Sequence, residues 1–124
     1  MKRILVVDDD IDILTVVQLT LEANSFKVRA LSKWQQIYDC IVSFNPHLIL
    51  LDVSLGTQDG RNLCKQVKSN PETKHISILL FSANNKVQDD LQECLADGFI
   101  PKPFDINDLI QGIKHHLLET NGSG

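Results

Sequence analysis

The chain has 124 residues, 43% of them hydrophobic, and a formal net charge of −4. That length suits one domain with a substantial core, and the acidic balance argues against a surface for phosphate backbones, hence no direct nucleic-acid binding. No stretch approaches transmembrane length. The apolar run near the N-terminus is too short for a signal peptide.

In chain order, residues 3–8 read as a buried strand in which Ile4-Leu-Val-Val7 runs into Asp8-Asp9-Asp10. A helix from about Ile11 to Asn24 follows, with Ile13, Leu14, Val17 and Leu21 on one face. Phe26 to Ala30 alternates apolar and polar residues, as an edge strand does. Ser32 is placed to cap the next helix, whose stripe is Trp34, Ile37, Tyr38, Ile41 and Val42, and Asn45-Pro46 breaks it. His47 to Asp52 reads as the central strand, apolar with one carboxylate at its end. A loop over 53–59 leads through Asp59-Gly60 into a helix carrying Leu63, Cys64 and Val67. After a polar turn at 69–74, Ile76 to Phe81 reads as a buried strand ending in Ser82. Val87, Leu91, Cys94 and Leu95 mark a fourth helix, and Phe99 to Pro101 a short edge strand before Lys102. Asp105 is the expected cap of a last helix with the stripe Ile106, Leu109, Ile110, Ile113 and Leu117. The domain is expected to span 1–120, with 121–124 as a flexible tail.

Five strand–helix repeats demand a parallel sheet with right-handed crossovers and helices on both faces. Strands two and five have edge character, which suits the doubly wound order 2-1-3-4-5, an α/β three-layer sandwich of flavodoxin-like (βα)5 type. Cys40, Cys64 and Cys94 are widely spaced and odd in number, so they fit neither a disulfide framework nor a zinc pattern. They read as packing thiols of a cytoplasmic protein.

In that sheet order, Asp8, Asp9 and Asp52 converge at the switch point between strands one and three. Carboxylates that close repel one another, so either their pKa values rise or a cation neutralises them. With no suitably placed His or Cys, the ligand set is all oxygen, which favours Mg²⁺, with Mn²⁺ as the alternative, over zinc. Lys102 and Ser82 supply an ammonium and a hydroxyl for phosphoryl oxygens. Together these groups make a site for phosphoryl transfer to Asp52, giving an aspartyl phosphate. Each residue also has a plain structural reading. One helix cap needs one acid rather than three, and Asp10 is the best candidate for a pure cap. Ser82 alone is a common helix-capping type. The joint placement on four strand ends carries the argument.

The motifs Ile4-Leu-Val-Val-Asp-Asp9, Leu50-Leu-Asp52 with Asp59-Gly60, Phe81-Ser82-Ala83 and Lys102-Pro103-Phe104 resemble those of the receiver domain of two-component response regulators. The resemblance spans essentially the whole chain. It implies Asp52 as phosphoacceptor, Asp9 as a direct Mg²⁺ ligand, Asp8 as one acting mostly through water, and the backbone carbonyl of Ser54 as a further ligand. It implies that Lys102 contacts the phosphoryl group and, before phosphorylation, Asp52. Ser82 and the aromatic Phe99 would be the switch pair, and the Lys102–Pro103 peptide would be cis. Phosphorylation would then change the face formed by helix four, strand five and helix five for a partner. Such a regulator catalyses only its own phosphorylation and dephosphorylation. The implied partners are a histidine kinase or phosphotransfer protein upstream and a protein target or output domain downstream, with no membrane, and with a monomer or a phosphorylation-dependent dimer as the active form.

Several positions depart from the common pattern. Gly56 stands where proline is frequent, Leu95 where a helix-ending glycine is common, Gly98 where an acid is usual, Ser77 in place of a proline, and Phe99 in place of tyrosine. Competing functions fit less well. A phosphatase with an aspartate nucleophile usually carries a second acid two residues on, where this chain has Ser54. A flavodoxin would carry a Ser/Thr/Gly-rich loop after strand one. A receiver-like binding module that is never phosphorylated is opposed by the acid triad and Lys102. His115-His116 reads as a solvated helix end, His47 and His75 as surface, and Asp89, Asp90 and Glu93 as a solvated helix face.

Overall fold

The computed structural model describes residues 1–122, with side chains described through Leu117. Five strands form one parallel sheet: β1 (Arg3–Val7), β2 (Lys27–Leu31), β3 (Leu48–Asp52), β4 (Ser77–Ser82) and β5 (Gly98–Pro101). Their order is β2-β1-β3-β4-β5, the doubly wound arrangement the sequence predicts. The helices are α1 (Ile11–Ala23), α2 (Ile37–Phe44), α3 (Gly60–Ser69), α4 (Leu91–Cys94) and α5 (Ile106–Gly122). Between β3 and α3 the chain folds a small antiparallel ribbon, Ser54–Leu55 against Gln58–Asp59, turned at Gly56 with φ +67°.

Strand periodicity divides the core into two layers. Leu5, Val7, Ile49, Leu51, Ile78 and Leu80 face α2, α3 and α4. Ile4, Val6, Leu48, Leu50, Leu79 and Phe81 face α1 and α5. With helices on both faces, β1, β3 and β4 are buried along their lengths, apart from the half-buried Arg3. That is why these strands read as unbroken apolar runs while β2, at the edge, alternates.

Several local expectations are corrected. Ser32 caps nothing: a 3₁₀ turn at Trp34–Gln36 precedes α2 with no side-chain cap, and α2 begins only at Ile37. The buried stripe of α2 is Ile37, Ile41 and Phe44, while Val42 is 85% exposed and Tyr38 also faces solvent. The fourth helix is mostly a 3₁₀ segment, Asn85–Asp90, with one α-helical turn at Leu91–Cys94. Leu95 is not part of its stripe but its C-cap, in the left-handed region at φ 66°. Ile106 is exposed at the start of α5, whose buried stripe is Leu109, Ile110, Ile113 and Leu117. Asn121 and Gly122 belong to α5; Ser123 and Gly124 lie outside the described residues.

Polar side groups are more engaged than the sequence suggests. Asp90 is not simply solvated, because Arg61 Nη1 donates to it at 2.6 Å while the same guanidinium grips Asp59. His47 is half-buried and its Nδ1 accepts from the Arg3 backbone N–H at 3.0 Å. The His116 ring nitrogens lie 2.8 Å from the Gly112 carbonyl and 3.0 Å from the Asp97 carbonyl. Gly98 leaves room for that ring, since a Cβ there would lie 2.7 Å from His116 Nε2. Asp97 also accepts from Lys68 Nζ at 3.0 Å and from the Ile78 backbone N–H at 2.8 Å. All three cysteines are free thiols, Cys64 and Cys94 within the core and Cys40 half-buried against it. Burial pushes the Cys64 thiol pKa up.

Candidate functional site

Parallel strands bring their C-terminal ends to one edge. Asp8 follows β1, Asp52 ends β3, Ser82 ends β4 and Lys102 follows β5. The register sets Val7 beside Leu51, Asp52 beside Phe81 and Ser82 beside Pro101, so each functional side chain stands next to another strand's end.

Lys102 links the carboxylates. Its Nζ donates to Asp8 Oδ2 at 2.8 Å and to Asp52 Oδ1 at 3.1 Å. The ammonium also lies 4.5 Å from the centroid of the Phe81 ring, a cation–π contact. The backbone N–H of Lys102 donates to the Ser82 carbonyl at 2.8 Å, and the Lys102–Pro103 peptide is cis. Burial works to lower the Lys102 pKa, but the hydrogen bond with Asp8 and the charge of Asp52 hold it above the ordinary lysine value.

Asp8 is fully buried and Asp52 is 4% exposed, whereas Asp9 is exposed. Oxygen atoms from the three lie within 4.8 Å of one another. One ammonium cannot balance three carboxylates. The imbalance shows in Asp52, whose pKa is raised to about 6, first by burial and then by the charge of Asp8, against the opposing pull of Lys102 and the Ser54 backbone. An all-oxygen, partly buried, underneutralised donor set is chemically suited to a hard divalent cation such as Mg²⁺. Asp10 stands apart from the cluster as the cap of α1, accepting from the backbone N–H groups of Asp12 and Ile13 at 3.0 and 3.3 Å.

Ser82 is buried, and its Oγ accepts from the Asn84 backbone N–H at 3.0 Å. No hydrogen bond joins Ser82 to Asp52 among the described residues. Ser54 is exposed and pairs with Asp59 in the ribbon. Phe99 is half-buried and packs against the core layer beneath α3 and α4. An open cavity of about 410 Å³ lies beside the rim, bounded by Ser54, Gly56, Thr57, Arg61, Ser82 and Asn84.

Two residues of this region carry more than their motif suggests. Gly60 packs so closely that a Cβ there would lie 2.1 Å from the Asp52 carbonyl oxygen, and its N–H donates to the Val53 carbonyl at 2.7 Å. The Asp-Gly pair before a helix signals the turn but not this contact. Arg61, next in sequence, ties Asp59 to Asp90 across the cavity wall. Its neighbouring acid at 59 is visible in the sequence; Asp90, 29 residues away, is not.

A family model for the response regulator receiver domain matches residues 4–114. The chain belongs to that family. Among curated proteins, this receiver domain is 30% identical over 123 residues to the DNA-binding dual master transcriptional regulator RpaA of Synechocystis sp., covering 98% of this chain and 51% of that protein. It is 32% identical over 121 residues to the phosphate regulon transcriptional regulatory protein PhoB of Pseudomonas aeruginosa, covering 96% and 53%. The receiver domain thus spans about half the length of these curated relatives. Among solved structures, a CheY-like response regulator receiver domain protein from Methanospirillum hungatei JF-1 superposes with a TM-score of 0.90 at 25% identity, covering 100% of this chain and 99% of that one. A putative response regulator from Chloroflexus aurantiacus J-10-fl gives 0.87 at 28% identity, covering 94% and 97%. Among the described residues, no helix of the receiver domain is long and apolar enough to cross a membrane.

Proposed function

We propose that this receiver domain accepts a phosphoryl group on Asp52 from a histidine kinase or phosphotransfer protein. The observation that carries the reading is the buried Asp52 carboxylate held by Lys102 beside the Asp8 and Asp9 carboxylates. A carboxylate oxygen of Asp52 forms the new bond to phosphorus as the bond from phosphorus to the donor's nitrogen or oxygen breaks. Lys102 is positioned to follow the incoming negative charge, since its ammonium already bridges Asp8 and Asp52. The carboxylates of Asp8, Asp9 and Asp52 and the Ser54 carbonyl would hold Mg²⁺, which supplies neutralisation of phosphoryl oxygens.

Ser82 hydrogen-bonds within its own loop, and in this reading it turns to the phosphoryl group once Asp52 is modified. Phe99 then moves further into the core, and the face of α4, β5 and α5 is read by a protein target or an attached output domain. The domain is a regulator that turns over no separate substrate beyond its own phosphorylation and dephosphorylation. It acts in the cytoplasm, where its buried thiols stay reduced, as a monomer or a phosphorylation-dependent dimer.

Intact-protein mass after incubation with acetyl phosphate tests the reading. One added phosphoryl group is expected with Mg²⁺, none with chelator, and none on Asp52→Asn. If no adduct forms, and beryllofluoride also leaves the Ser82 and Phe99 resonances unmoved, the domain is a phosphorylation-independent binding module.

A further inference from the structure

At the opposite edge of the sheet, the corner beside β1 and β3 is cationic. The starts of β1 and β3 and the turn before β4 enclose a pocket of about 230 Å³ lined by Lys2, Arg3, Asn45, His47 and His75, with Pro46 and Leu117 as apolar wall. Among the described residues no carboxylate lines it, in a chain of net charge −4. Neither Lys2 nor Arg3 has an ion-pair partner among the described residues.

The pocket is built rather than incidental. Arg3 Nε donates to the Asn45 carbonyl at 2.8 Å, which leaves the Nη1 and Nη2 end of the guanidinium to grip an oxyanion with two parallel N–H groups. The Arg3 backbone N–H donates to His47 Nδ1 at 3.0 Å, so the neutral imidazole carries its proton on Nε2 and can only donate from there. Burial, then the charges of Arg3 and Lys2, lower the His47 pKa and keep the ring in that neutral form at pH 7.5. The walls are fixed by backbone hydrogen bonds at their base, His47 N–H to the Arg3 carbonyl and Ser77 N–H to the His47 carbonyl.

We propose that this pocket binds a doubly charged tetrahedral oxyanion of the phosphate class, as the free ion or as the end of a small phosphomonoester. The Arg3 guanidinium, tethered through Nε, and the Lys2 ammonium together match a dianion, whereas a carboxylate would balance only one of them. The volume is below that of pockets for larger organic ligands, so the phosphate group itself is what the site recognises. The five residues of β1 place it about 17 Å from Asp8, and the inference does not rest on the phosphoacceptor reading.

The test is a titration of the full chain with inorganic phosphate, followed by amide NMR in chelator at pH 7.5. Saturable shifts are expected at Lys2, Arg3, Asn45 and His47, with none at Asp8, Asp9 or Asp52. Acetate at equal ionic strength is expected to give none. Arg3→Gln should weaken binding about tenfold or more and Lys2→Gln by less. The Lys2 side chain takes part in no hydrogen bond among the described residues, so that variant keeps the test open if Arg3→Gln fails to fold. Glycerol phosphate separates the two sources: equal affinity assigns an ester-accepting site, and binding of the free ion alone assigns inorganic phosphate. Shifts that never saturate, acetate binding equal to phosphate, or unchanged affinity in Lys2→Gln would each overturn the proposal.

Discussion

Asp52 ionises against its own burial first and the charge of Asp8 second. Its pKa of about 6 means that ionising it costs the folded state on the order of 3 kcal/mol relative to the unfolded chain, where aspartate titrates near 4. Because the folded value is raised, this contribution to stability is fully present below about pH 4 and is lost as pH rises through about 6. Asp59 acts the other way: its bond with Arg61 lowers its pKa, so its contribution is present above the unfolded value and lost as pH falls. Comparing the wild type with Asp52→Asn isolates the first effect. Urea unfolding in chelator is expected to show Asp52→Asn more stable at pH 7.5 by roughly 1–3 kcal/mol, a gain that shrinks toward pH 4. Lys102 keeps its bond to Asp8 in that variant, so the substitution does not strand a buried ammonium. An Asp52→Asn protein less stable than the wild type at pH 7.5 would show that the ion pair outweighs burial and repulsion together.

At the scale of elements, the segment after β4 holds little regular helix. Only one turn of it is α-helical, and it ends on Leu95 in a conformation that glycine adopts without strain. Leu95 is 44% exposed and so buries little apolar surface in return. Leu95→Gly is expected to stabilise the domain by about 1 kcal/mol, read as a rise in the thermal midpoint. The Arg61 bond to Asp90 is a polar tie between this segment and α3. It is about a third exposed, so its removal costs little globally, about 0.5–1 kcal/mol. Hydrogen exchange is the sharper readout: Asp90→Ala should speed amide exchange over residues 85–94 while leaving β1, β3 and β4 protected. The apolar spacing of Val87, Leu91 and Cys94 shows that this stretch packs inward, and all but the half-buried Leu91 are buried. It does not distinguish a 3₁₀ turn from an α-helix, because residues three apart lie on one side of both. The same limit applies to α2, where the 3₁₀ turn at its start shifts the phase, exposing Val42 and burying Phe44.

For the molecule as a whole, a cation bound at the acidic rim would couple to folding. A cation held by Asp8, Asp9 and Asp52 stabilises only the folded chain, by about 2.7 kcal/mol at a hundred times its dissociation constant. Adding Mg²⁺ is therefore expected to raise the thermal midpoint of the wild type. Asp9 is exposed, so Asp9→Ala should leave metal-free stability unchanged while losing most of that rise, with Mg²⁺ affinity down about tenfold or more. An undiminished Mg²⁺ effect in Asp9→Ala would remove Asp9 from the ligand set.

The chain by itself determined the architecture and the membership of the rim. Strands buried on both faces must be apolar throughout, so Ile4–Val7, Leu48–Leu51 and Ile78–Phe81 stand out against helices of period 3.6, and alternating strands and helices leave few topologies. Once the strands are parallel, Asp8, Asp52, Ser82 and Lys102 share an edge with no further information. The family resemblance already implies the Lys102 contact with Asp52, which the structure shows at 3.1 Å; the other contacts were decided by tertiary structure. Lys102 meets Asp8 across 94 residues, Arg61 meets Asp90 across 29, His116 fills the space that Gly98 leaves, and Arg3 locks His47 at the opposite pole. Local pattern reports which way a side chain faces, because burial has the period of its own element. Which partner it finds depends on the register of a neighbouring strand or helix, and no local period records that.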